Sequence, residues 1–158
     1  MHQSKGRRLL GVVLAAGMVA AGGGALAASA GQKAAEVRED NFKQLGGAFK
    51  TINDELKAST PDMAKIAAAA KKMNALAPQV PRWFPKGSGP ETGGKTRAKA
   101  EIWTDAAGFA AVQRSFQAEV AKLDKVAAGG DLSALRDQVR AVGGTCKSCH
   151  EKYRGPKK

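Results

Sequence analysis

The chain is poor in the side chains that build metal sites and redox pairs. Its 158 residues hold two cysteines, two histidines and a single tyrosine, and aromatics make up only 5%. A structural zinc site draws about four protein ligands, which two cysteines and the remote His2 do not supply. No stretch alternates apolar and polar residues as a half-buried strand does. The cysteines therefore lack the βαβ context of a thioredoxin-like pair. Beyond the N-terminus there is no apolar run long enough to span a bilayer. Acidic residues are also few, 14 against 26 basic ones, for a net charge of +12.

What the sequence does have begins with a leader. Lys5, Arg7 and Arg8 precede an apolar run from Leu9 to Ala21, and Ala28-Ser29-Ala30 or Ala25-Leu26-Ala27 offers a small-residue cleavage site. This pattern predicts a secretory signal peptide over residues 1–30, removed on export. The remaining 31–158, about 128 residues, suffice for one domain with one core. Removing three cations from the total leaves +9, a balance that favours acidic partners or anionic surfaces. Export and the lack of a basic-aromatic recognition motif argue against nucleic acid.

The decisive motif lies near the other end. Cys146-Lys147-Ser148-Cys149-His150 has the spacing of a c-type haem attachment site. Two thiols join the haem vinyl groups as thioethers, and the adjoining imidazole supplies an axial nitrogen to iron. On a helix, Cys146, Cys149 and His150 fall at i, i+3 and i+4 and share one side. A structural disulfide or another metal site is the competing reading. Attachment takes place outside the bacterial cytoplasm, so leader and motif support each other, and one covalent haem c per chain is expected.

Four stretches carry helical periodicity. Phe42, Leu45, Phe49, Ile52 and Leu56 form the first. Met63, Ile66, Ala70, Met73 and Ala77 form the second, which Thr60 is expected to cap with Pro61 in the first helical position. The third runs unbroken from near Ile102 and Trp103 through Phe109, Val112, Phe116, Val120 and Leu123 to Gly129-Gly130. The fourth starts at Asp131 and steps through Leu132, Leu135, Val139, Val142 and Cys146. The attached thiol continues that last stripe, which places the haem in the core near the C-terminal helix of an all-α, antiparallel four-helix bundle. The long connection from Pro78 to about Lys99 holds four of the six prolines; its Trp83 and Phe84 are expected to cap the open end of the bundle.

These residues resemble the cytochromes c prime, the class II cytochromes c, across residues 31–158. The likeness rests on the C-terminal Cys146–His150 motif with Tyr153-Arg154, on Glu101-Ile102-Trp103-Thr104-Asp105, and on Arg38 four residues before Phe42. It implies a periplasmic protein, a homodimer packed through its first two helices, with His150 as the iron ligand. It also implies that the residue at Phe42 faces the iron opposite His150. Members with methionine there are six-coordinate and low-spin; those with an apolar residue are five-coordinate and high-spin. A benzyl ring has no lone pair to donate, so the expectation is an open site that binds nitric oxide and, weakly, carbon monoxide, and that also passes single electrons to an unidentified periplasmic partner.

Arg38 is expected beside a propionate, Gly46 on the same face to allow close approach, and Glu39 and Thr96 as further haem contacts. Arg154, four residues after His150, is placed on the proximal face. The alternatives are a surface cation at Arg38, a close helix–helix contact at Gly46-Gly47 and a terminal cation at Arg154. Gly143-Gly144 is read as close approach of haem or a neighbouring helix. Met63 and Met73 are core filler by spacing and the only other candidate axial ligands considered beside lysine. No catalytic residue is assigned, because a haem peroxidase needs a distal acid–base group that Phe42 lacks. A six-coordinate low-spin electron carrier is the rival reading.

Overall fold

The computed structural model describes residues 22–156. The leader's basic residues and the whole of its apolar run, Leu9 to Ala21, lie outside them, as do Lys157 and Lys158. Two of the expected helices follow their stripes closely. The first, α1 (Gly22–Glu55), buries Gly31, Arg38, Leu45, Ala48 and Ile52 along one side. The last, α5 (Leu132–Tyr153), opens on Asp131, whose carboxylate accepts from the backbone N–H groups of Ser133 and Ala134. That cap satisfies donors that the first helical turn leaves unpaired.

The second helix, α2 (Met63–Leu76), begins later than its sequence suggests. Asp62, not Thr60, is the cap, and its side chain accepts from Lys65 N–H. A carboxylate three residues before that amide is a stronger acceptor than the threonine hydroxyl ahead of Pro61. From Ala77 to Trp83 the chain continues as a 3-10 helix that contains Pro81. The third helix is not continuous either. A short turn, α3 (Glu101–Thr104), ends at Asp105, which caps α4 (Ala106–Gly129) by accepting from Gly108 N–H. Gly130 then adopts φ 76°, the left-handed conformation that closes a helix without a Cβ penalty.

α1, α2, α4 and α5 form the antiparallel bundle, packing as α1–α2, α2–α4 and α4–α5. The main core joins Leu45 and Ile52 of α1, Ile66 and Met73 of α2, Phe116, Val120 and Leu123 of α4, and Leu135, Val139 and Val142 of α5. A second, smaller cluster of Ile102, Phe109 and Tyr153 sits beside the end of α5. No helix among the described residues is long and apolar enough to cross a membrane.

Gly46 and Gly47 are exposed, and a Cβ at either would meet nothing within 4 Å. The helix–helix contact considered for them does not form, because both residues lie off the core stripe of α1. Gly143 is approached by the neighbouring helix, with Phe49 Cζ 3.7 Å from the position of an added Cβ, whereas Gly144 meets nothing. The true close crossing is at Gly31, where a Cβ would fall 2.0 Å from the Gly87 carbonyl oxygen. There the long connection runs hard against α1.

Candidate functional site

The two thiols face different neighbours. Cys146 packs against the main core, as its place on the α5 stripe requires, and Cys149 against the cluster of Ile102, Phe109 and Tyr153. They are not bonded to each other. Burial pushes the Cys146 thiol up, and burial with the charge of Cys146 pushes Cys149 up to about 11. No group of three His, Cys, Asp or Glu side chains capable of holding a metal occurs among the described residues. Desolvation, then the Arg154 and Arg97 charges, hold the His150 imidazole below its ordinary value. The neutral ring therefore prevails at neutral pH, leaving a nitrogen lone pair available.

The end of α5 is held by a strap from the long connection. Ala98 and Arg154 form an antiparallel bridge. Lys99 N–H donates to Tyr153 O at 3.0 Å and Gly155 N–H to Arg97 O at 2.7 Å. The Lys99 ammonium donates to the carbonyls of Glu151 and Lys152, both at 3.2 Å, and Arg97 Nε to those of Gly155 and Pro156. Tyr153 donates its hydroxyl proton to Asp105 Oδ2 at 2.9 Å, and Lys152 pairs with the same oxygen at 2.7 Å. The last turn of α5, which bears His150, is thereby tied to the start of α4. The strap corrects one expectation: α5 ends at Tyr153, so Arg154 is extended, exposed and off the helical face of His150.

Arg38 is not a surface cation. It is 4% exposed, and its four terminal N–H groups are taken up by protein. Nη1 donates to Trp83 O at 3.2 Å and Ser88 Oγ at 2.9 Å; Nη2 donates to Ser88 O at 2.8 Å and Thr96 Oγ1 at 2.9 Å. These acceptors are all neutral. Thr96 is thus brought to Arg38 as a partner, and its hydroxyl oxygen also accepts from Ala98 N–H. Glu39 is exposed and pairs with Lys43 at 3.3 Å, although its charge also reaches Arg154.

Phe49 of α1 meets Gly143 of α5, 3.7 Å from the position of an added Cβ. Phe42 lies seven residues before Phe49 and His150 seven after Gly143, each a displacement of about 10 Å along its own helix axis. In an antiparallel pair both residues lie toward the same end of the bundle. Trp83 and Phe84 do not merely close an end of the bundle: Phe42 stands edge-on to Trp83 at 5.0 Å and to Phe84 at 6.0 Å. Sequence patterning missed this, because the aromatics reach Phe42 through the 3-10 segment. It also missed Gln113, whose Nε2 is buried in the α4 core stripe without a partner.

The family described as Cytochrome C′ matches residues 33–154. The chain belongs to the cytochrome c′ family. A curated cytochrome c′ from Alcaligenes xylosoxydans xylosoxydans is 35% identical over 127 residues, covering 80% of this chain and 96% of that protein. A solved cytochrome c′ with ligand-controlled dimer dissociation superposes with a TM-score of 0.74 at 28% identity, covering 80% of this chain and 97% of the other. A ferrous variant of the Alcaligenes xylosoxidans cytochrome c′ with bound NO gives 0.72 at 30% identity, with the same coverage. Membership of this family brings a covalent c-type haem. The residues fit it: two unpaired thiols and a neutral imidazole on the last turns of α5, and a buried cation without a carboxylate neighbour in hydrogen-bonding contact.

Proposed function

We propose that this cytochrome c′ is an exported, periplasmic gas-binding haem protein, with the iron held by His150 and the opposite position left open behind Phe42. Residues 1–30 serve as the removed leader. Cys146 and Cys149 form the thioether links, Arg38 and Thr96 stand at the haem edge, and Glu39 and Arg154 are exposed charges beside it rather than buried contacts. The haem supplies an iron centre that takes up diatomic gases and cycles by one electron. What supports the reading is the aromatic packing at Phe42, with Trp83 and Phe84 edge-on to its ring, on the helix whose Phe49 meets Gly143 seven residues before His150.

Phe42 selects by access. Any gas on its face must displace an aromatic ring held edge-on by two others, which penalises weak ligands most. Nitric oxide, a strong ligand of ferrous iron, would bear that cost; carbon monoxide would bind poorly. Arg154 and Arg97 stand near His150 and would meet a ligand arriving from the other side. No acid–base group replaces Phe42, so a carrier and gas binder fits better than a catalyst. The rival electron carrier needs a sixth donor, and Met73, 1% exposed in the α2 core, is the thioether best buried to serve.

A homodimer fits the α1–α2 face, where Gly47, Ala48, Ala68 and Ala69 line a shallow groove beside Lys65 and Lys72. The direct test of the reading is Phe42→Ala. Carbon monoxide should then bind the ferrous protein at least about tenfold faster, the effect of removing roughly 1.4 kcal/mol of barrier. A rate equal to wild type would show that Phe42 does not guard the iron.

A further inference from the structure

We infer that Phe42 is set in place by a clamp of Arg38, Trp83 and Phe84, so that these three are positioning residues for gas access. The inference rests on the reading of Phe42 as the guard of the iron, and it concerns what fixes that ring rather than what the ring covers.

A lone phenylalanine on a half-exposed helix face changes rotamer in picoseconds to nanoseconds. Phe42 has no such freedom. Trp83 meets it at an interplanar angle of 85° and Phe84 at 61°, both edge-to-face arrangements that ring quadrupoles favour. The two are themselves immobilised. Phe84 lies under the Arg38 guanidinium, whose central carbon is 4.8 Å from the ring centroid. It also stands edge-on to Phe109 at 4.9 Å and to Trp103 at 6.3 Å. Trp103 Nε1 donates to the carbonyls of Phe84 and Pro85, fixing the backbone on the far side.

Arg38 closes the arrangement from α1, one helical turn before Phe42. It holds Trp83 through its carbonyl and the following turn through both oxygens of Ser88. Ser88 Oγ in turn donates to Pro85 O at 2.8 Å. The same cation thus secures both rings that flank Phe42. Opening the Phe42 face requires the 83–88 segment to move, and that motion breaks contacts to a buried charge.

The test compares haem-loaded Phe84→Ala, Phe42→Ala and the double variant by flash photolysis of carbon monoxide, with ring-flip rates of Phe42 from NMR of the diamagnetic carbon monoxide complex. Phe84→Ala is expected to speed association about threefold, the scale of one lost aromatic pair, and to speed Phe42 ring flips. The double variant should be no faster than Phe42→Ala alone, because Phe84 acts through Phe42. Wild-type association and flip rates in Phe84→Ala, or an effect that multiplies fully with Phe42→Ala, would overturn the clamp. If Phe84→Ala fails to fold or load haem, Phe84→Leu is read in the same way, with a smaller acceleration expected and unchanged rates counting against the clamp. A Phe42→Ala protein with wild-type association would instead refute the proposed function itself, and the two failures are distinguishable.

Discussion

Replacing Arg38 with methionine keeps the length of the side chain and removes its charge and donors. At 4% exposure, no solvent takes over the four acceptors left behind. Ser88 Oγ keeps its bond to Pro85 O, and Thr96 Oγ1 keeps the one from Ala98 N–H. The carbonyls of Trp83 and Ser88 lose the guanidinium without a replacement. A buried polar group left unpaired costs about 1–3 kcal/mol, so the two carbonyls together give roughly 4 kcal/mol. Relief from burying a cation offsets part of this, leaving about 3 kcal/mol. For a domain of this size that lowers Tm by roughly 10 °C. The assay is thermal unfolding of the haem-loaded protein followed by far-ultraviolet circular dichroism. A Tm within about 2 °C of wild type would refute the claim that Arg38 anchors the loop.

Other substitutions probe the frame around the site. Gly89→Ala places a Cβ 2.7 Å from Trp103 Cζ3; the overpacking should cost about 1–3 kcal/mol, read by chemical denaturation. Lys99→Met removes both ammonium contacts to the carbonyls of Glu151 and Lys152. Amide exchange across the last turn of α5 should then accelerate about fivefold, the equivalent of roughly 1 kcal/mol. Asp105 is held below the ordinary carboxylate value by Lys152 first, then by Tyr153 and Gly108 N–H. Its contribution is therefore fully present above the ordinary carboxylate pKa and is lost as pH falls through the lower folded value. As pH falls below the ordinary carboxylate value of about 4, wild-type Tm should drop more steeply than that of Asp105→Asn, and parallel profiles would count against the ion pair.

The bundle was legible because its stripes repeat every three or four residues, and that period survives in every long helix. Phe42, Leu45 and Ile52, or Leu135, Val139 and Val142, reach the core that their spacing predicts. The attachment motif was legible because its chemistry is local to five residues. Features that depend on distant backbone were not. The caps moved from Thr60 to Asp62 and appeared at Asp105, where a short carboxylate competes with helix continuation. The strap pairing Ala98 with Arg154 links residues far apart in sequence and leaves no periodic trace. Arg38 could be singled out by resemblance, but its partners Ser88 and Trp83 come from a proline-rich connection whose path no pattern encodes.

The electronic absorption spectrum of the purified ferric protein examines the central claim with least intervention. If Phe42 covers the face opposite His150, as proposed, the bands should be those of five-coordinate, high-spin iron. Low-spin bands with a methionine-to-iron charge-transfer feature would contradict the account and would point to Met73 or Met63 as the sixth ligand.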